Sequence, residues 1–185
     1  MEGMAEMNIT PSTKAHDAVR PDPEGIKKAC DVLINAKNPV LMVGDRVSDD
    51  NAMESAVILA ELLGLPVFQS RGGEVSFPTD HPQYMGPHSL RVKKDRESLE
   101  DFDVVLAVGM DTFDELFYWG DVILSESQKL IHIDPIHSRV GRSEPTAVGI
   151  ISNCKAALEE IIEISNPPIA MLSLIHISEP PRPRL

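Results

Sequence analysis

Three sets of glycines stand where apolar runs stop. Gly44 follows Val40-Leu41-Met42-Val43, Gly72 and Gly73 follow Val67-Phe68-Gln69, and Gly109 follows Val104-Val105-Leu106-Ala107-Val108. A glycine in that place lets a phosphate come close to the backbone, where N–H groups of a following helix can receive its charge. Asp134 closes the run Leu130-Ile131-His132-Ile133 and is placed to meet a ribose hydroxyl. Gly44, Gly72, Gly73, Gly109 and Asp134 are therefore the candidate cofactor-binding set. The same glycines fit a plainer requirement, since tight strand-to-helix turns favour a residue without a side chain. No G-x-G-x-x-G follows Val43, and no phosphate-loop pattern ending in Gly-Lys-Ser/Thr occurs. Both explanations stay open at this point.

The other reactive side chains give no catalytic set. His132, Asp134 and His137 have a spacing that superficially suits a metal. A buried strand running into a turn, with Asp134 bonding nearby backbone N–H groups, explains them better. His81 and His88 lie in a stretch rich in proline and glycine with no partner nucleophile. Cys30 and Cys154 fall at or beside apolar helical stripes, where packing accounts for them. There is no G-x-S-x-G and no His-Glu-x-x-His. Residues 111–119 mix acids with Phe113, Phe117, Tyr118 and Trp119, and they can line a cleft or face a partner.

The elements that must hold these residues alternate between strand and helix. Uninterrupted apolar runs at 40–43, 67–69, 103–109, 129–134 and 147–151 predict five strands buried on both faces, as in a parallel sheet. Asp22-Pro23-Glu24 starts a helix that carries Ile26, Ala29, Cys30 and Leu33 on one stripe. A second helix is expected over 50–63, ended by Gly64 and Pro66. A last one begins near Asn153 and stops at Asn166-Pro167-Pro168. Residues 71–95 read as a long irregular loop. The fold class is α/β: a Rossmann-like three-layer αβα sandwich with a mostly parallel five-stranded sheet in the order 2-1-3-4-5.

Composition excludes several functions. The 185-residue chain holds 17 basic and 29 acidic side chains, a net charge of −12. That sign opposes a nucleic-acid or anionic-membrane surface. No apolar run reaches the roughly 20 residues of a membrane span. No secretory signal pattern opens the chain, and two cysteines make no disulfide framework, so a cytoplasmic setting is expected. Residues 1–21 read as a linker or the remnant of a preceding domain, 22–165 as the central domain, and 166–185 as a tail unlike the rest. From Leu172 onward the tail resembles a translated adapter and stands outside the fold argument.

Five segments, in this order and spacing, carry a resemblance: 36–44 (Ala-Lys-Asn-Pro-Val-Leu-Met-Val-Gly), 60–67 (Ala-Glu-Leu-Leu-Gly-Leu-Pro-Val), 77–82 (Phe-Pro-Thr-Asp-His-Pro), 103–109 and 131–135 (Ile-His-Ile-Asp-Pro). Residues 22–163 resemble the central domain of thiamine-diphosphate-dependent enzymes, in the acetolactate synthase and benzoylformate decarboxylase group. The resemblance implies a parent enzyme of three α/β domains that decarboxylates or joins 2-keto acids with thiamine diphosphate and magnesium. Those cofactors would be held by pyrimidine- and diphosphate-binding domains of the same parent chain, in a dimer or tetramer. No Gly-Asp-Gly of the diphosphate-binding domain occurs here. The implied role is thus a structural central domain, inactive alone, with nucleotide binding left open. Flavin-binding members carry Gly-x-Arg-Phe-Asp after the third strand. The counterpart here, Gly109-Met110-Asp111-Thr112-Phe113, lacks the arginine, which weighs against FAD. The alternatives are a free-standing FAD- or NAD-binding module and a ligand-free interaction scaffold.

Overall fold

Five of the apolar runs named above lie side by side in one sheet. In the computed structural model, which describes residues 18–70, 74–89, 92–111 and 123–166, Pro39–Val43 (β1) pairs in parallel with Val104–Val108 (β4), Leu41 level with Leu106. Val67–Ser70 (β2) lies on the other side of β1. Lys129–Asp134 (β5) and Val148–Ile151 (β6) extend the sheet beyond β4. The five expected strands stand in the expected order. Pro39 opens β1, where a missing N–H does no harm.

The sheet has six strands, however, not five: Tyr84–His88 (β3) pairs with β2 at the outer edge, giving the order β3-β2-β1-β4-β5-β6. This strand falls inside the stretch read as irregular. Its sequence, Tyr-Met-Gly-Pro-His, carries two residues that argue against a strand. Gly86 has φ +106, and Pro87 cannot donate to a ladder. An edge strand with one neighbour tolerates both, and the pairing register shifts beside Phe68. A short helix, Lys93–Ser98, also lies there; it buries none of its residues, so no apolar stripe announces it. In chain order it is α4.

The first helix, Pro23–Ile34 (α1), begins as its sequence predicts: the Asp22 carboxylate accepts from the N–H groups of Glu24 (2.9 Å) and Gly25 (3.0 Å). The helix expected over 50–63 is observed at Met53–Leu63 (α3), and an additional five-residue helix, Asp45–Asp49 (α2), precedes it. Asn51, at φ 53, separates them. Gly64 ends α3 in the left-handed conformation. Gln83 then donates to the carbonyls of Ala60 (2.7 Å) and Leu65 (3.0 Å), satisfying the end of that helix from beside β3. The last helix is Cys154–Ser165 (α5), capped by the Asn153 side chain.

Alternate residues of the strands feed two cores. Leu41, Val43, Leu106, Val108, Ile131 and Ile133 pack with Ile26, Leu59 and Leu158 of α1, α3 and α5. Val40, Met42, Val105, Ala107 and Leu130 pack on the opposite face with Leu99, Met110 and Leu124. All five residues of β4 are buried, which is why its sequence does not alternate.

At the amino-terminal ends of the strands, Asp103 accepts from the N–H groups of Lys37 (2.7 Å) and Asn38 (2.9 Å), joining the α1–β1 turn to β4. These bonds hold the Asp103 carboxyl below the ordinary carboxylate range. A carboxylate with a lowered folded-state pKa adds stability above its unfolded pKa, near 4, and that stability is lost as pH falls through the folded value. Urea unfolding of wild type and Asp103→Asn should therefore show a gap that is widest at neutral pH and closes at acid pH. A gap independent of pH would contradict the role given to Asp103.

Candidate functional site

The carboxyl ends of β1, β4 and β5 converge, and three of the five candidate residues meet there. The Gly44 N–H donates to the Val108 carbonyl (3.0 Å), and the Gly109 N–H to that of Ile133 (2.9 Å). The Arg46 N–H donates to the Gly109 carbonyl (3.1 Å). The two turns cross so closely that a Cβ on Gly44 would lie 2.4 Å from the Met110 Cβ and 2.5 Å from the Gly109 oxygen. A Cβ on Gly109, at φ +61, would lie 2.8 Å from the Val47 nitrogen. The space above each glycine is thus filled by the neighbouring turn. Gly72 and Gly73 lie outside the described residues, as does all of the aromatic segment except Asp111.

Asp134 ends β5 fully buried, with both oxygens engaged. Oδ1 accepts from the Ile136 N–H (2.8 Å). Oδ2 accepts from Arg46 Nε (2.7 Å) and lies 2.7 Å from Nη2 of the same guanidinium. Arg46 Nη2 also donates to Asp111 Oδ1 (2.7 Å), which Arg139 Nε approaches at 3.5 Å. The Arg46 side chain is 16% exposed, and Asp111 is the outermost partner at 42%. Burial pushes the Asp134 carboxyl up from its ordinary value, and the Ile136 N–H and Arg46 pull against that shift. Arg46 itself is held charged: its two carboxylates outweigh the cost of its partial burial.

Arg46 lies in a polar stretch, and its only mark in the sequence is its place two residues past Gly44, where a side chain can reach across the neighbouring strand ends. Asp50 lies in the same stretch; its carboxylate accepts from the Cys154 N–H (2.6 Å) and ties the α2–α3 turn to α5. His132 is fully buried beside the Met110 carbonyl (3.3 Å), and burial lowers its pKa, which favours the neutral ring. His137 is exposed, and among the described residues no group of three could hold a metal ion. His88 is buried against Phe68, its Nε2 at 2.6 Å from the Asp95 carbonyl. His81 lies 3.3 Å from Glu61. None of these arrangements pairs a nucleophile with a base.

The matches to known proteins agree with this fold. The family model described as thiamine pyrophosphate enzyme, central domain, matches residues 26–161. The chain belongs to that family. The acetolactate synthase large subunit of Haemophilus influenzae is 29% identical over 142 residues, which cover 76% of this chain and 25% of that protein. Sulfoacetaldehyde acetyltransferase of Alcaligenes xylosoxydans xylosoxydans is 34% identical over 139 residues, 74% of this chain and 23% of the relative. Among solved structures, the thiamine diphosphate-dependent 4-hydroxybenzoylformate decarboxylase of Rhodococcus jostii RHA1 superposes with a TM-score of 0.72 at 26% identity. That match covers 95% of this chain and 31% of the other. The chain thus spans about a quarter of the length of the curated relatives it matches. As a central domain of this family, it has its α/β sheet in common with enzymes of several activities.

Two outcomes test the site's geometry. Gly44→Ala should lower unfolding stability by about 3 kcal/mol, because backbone rather than a flexible side chain stands in the way. A loss below about 1 kcal/mol would mean that the turns are looser than described. Cys30 and Cys154 are buried, and burial pushes both thiols up, Cys154 strongly with Asp50 adding to the shift. A thiol reagent at neutral pH should therefore label neither until the domain is unfolded.

Proposed function

We propose that this chain serves as the structural central domain of a thiamine-diphosphate-dependent enzyme that decarboxylates or joins 2-keto acids. The match of the family model to residues 26–161 carries this reading. The relatives' names support the substrate and reaction class: a synthase of acetolactate, a glyoxylate carboligase and a 4-hydroxybenzoylformate decarboxylase. The domain would stand between pyrimidine- and diphosphate-binding domains of the same parent chain and help build a dimer or tetramer in the cytoplasm. No helix among the described residues is long and apolar enough to cross a membrane.

The described residues do not fit thiamine diphosphate itself. The diphosphate and its magnesium need a cluster of oxygen donors. Here Asp134 is spent on Arg46 and Ile136, and no metal-holding trio occurs among the described residues. Function resides in sites rather than in folds, and the catalytic site belongs to the parent's other domains. The thiazolium chemistry would be supplied by the cofactor held there. The free-standing nucleotide module and the ligand-free scaffold are not favoured by the matches.

Two measurements test this reading. The DNA flanking this reading frame should encode the two cofactor-binding domains, and flanks without them would overturn it. The purified chain, given thiamine diphosphate, magnesium and pyruvate, should release no carbon dioxide above background; turnover would contradict the assignment of catalysis to other domains.

A further inference from the structure

We propose that the cleft at the carboxyl ends of β1, β4 and β5 holds its own ligand, the guanidinium of Arg46, and that it takes no nucleotide. In an open parallel sheet this is where a ribose and its phosphates would sit. A nucleotide there needs three things: a carboxylate free to accept from the ribose, backbone N–H groups free to meet phosphate, and room above the glycines. The described residues of this cleft offer neither the free carboxylate nor the room, and the N–H groups of both glycines are already engaged. Both oxygens of Asp134 are engaged, by Arg46 and by the Ile136 N–H. The N–H groups of Gly44, Arg46 and Gly109 donate to the carbonyls of Val108, Gly109 and Ile133. Met110 and Val47 fill the space above the two glycines.

What remains is a site of the opposite sign. Asp134, fully buried, and Asp111 point their carboxylates at one place, and such a pair of acceptors recognises a planar cation. Arg46 comes from the turn directly after β1 and reaches the end of β5 across β4, so one side chain closes the line of three strand ends. Its outer nitrogen is held by Asp111, at the mouth. The guanidinium is a built-in occupant that satisfies a buried carboxylate with no outside ligand.

The test has two arms. Calorimetric titration of the whole chain with ADP, FAD and NAD should show no saturable binding up to about 1 mM. Binding of one equivalent would overturn the inference while leaving the family assignment standing. Arg46→Ala leaves a cavity the shape of ethylguanidinium between Asp134 and Asp111. The variant should melt roughly 10 °C below wild type. About 20 mM ethylguanidinium should return several degrees, ethylammonium much less, and wild type should gain nothing. A folded variant that ethylguanidinium does not stabilise would overturn the internal-ligand reading. Should the variant not fold, the wild-type nuclear magnetic resonance signal of the Arg46 Nε–H decides. Slow exchange with solvent, unchanged by ADP, supports the reading; rapid exchange or an ADP-dependent shift overturns it.

Discussion

A carboxylate without exposed surface must be paired or lose its charge, and Asp134 sets that requirement at the centre of this domain. Its answer is Arg46, which leaves the chain just after β1 and returns the pair to the end of β5. The two ends cannot separate without exposing the ion pair to rearrangement, and β4 lies between them, tied to both by its own ladders. The close crossing of the Gly44 and Gly109 turns follows from the same convergence. Any side chain at either glycine would push the strand ends apart and lengthen the Arg46–Asp134 contact.

The rest of the architecture serves that convergence. Asp50 brings the amino-terminal end of α5 against the α2–α3 turn, so the helix covering one face is fixed to the end of the short helix that carries Arg46. Asp103 does the equivalent work at the far end of the strands. With the strands pinned at both ends, the apolar residues between them, Val40 to Val43 and Val104 to Val108, pack two cores at once. The chain so held spans about a quarter of the length of the curated relatives it matches.

Much of the fold was legible because its strands are buried on both faces. Runs such as Val104-Val105-Leu106-Ala107-Val108 are short and rich in β-branched residues, which favours a strand over a buried helix, and Asp22-Pro23 marks a helix start. The edge strand was hidden because Gly86 and Pro87 break the local rules, which only its position at the margin excuses. The short helix α2 was hidden because its polar sequence buries only Val47 and so shows no apolar stripe. Gly44, Gly109 and Asp134 lie together at one end of the sheet because each follows or ends a parallel strand, but their partners leave no such mark. Arg46 and Asp134 are 88 residues apart, and spacing in sequence carries no information about a pairing made by strand order.

Arg46 and Asp134 stabilise the strand ends through their interaction with each other rather than through two separate packing contributions. A double-mutant cycle with Arg46→Met, Asp134→Leu and the combined variant, read by urea unfolding at neutral pH, measures that directly. The account predicts that each single change is severe, that the double variant recovers much of the loss, and that the coupling is about 3 kcal/mol. Additive losses, with coupling below about 0.5 kcal/mol, would contradict it.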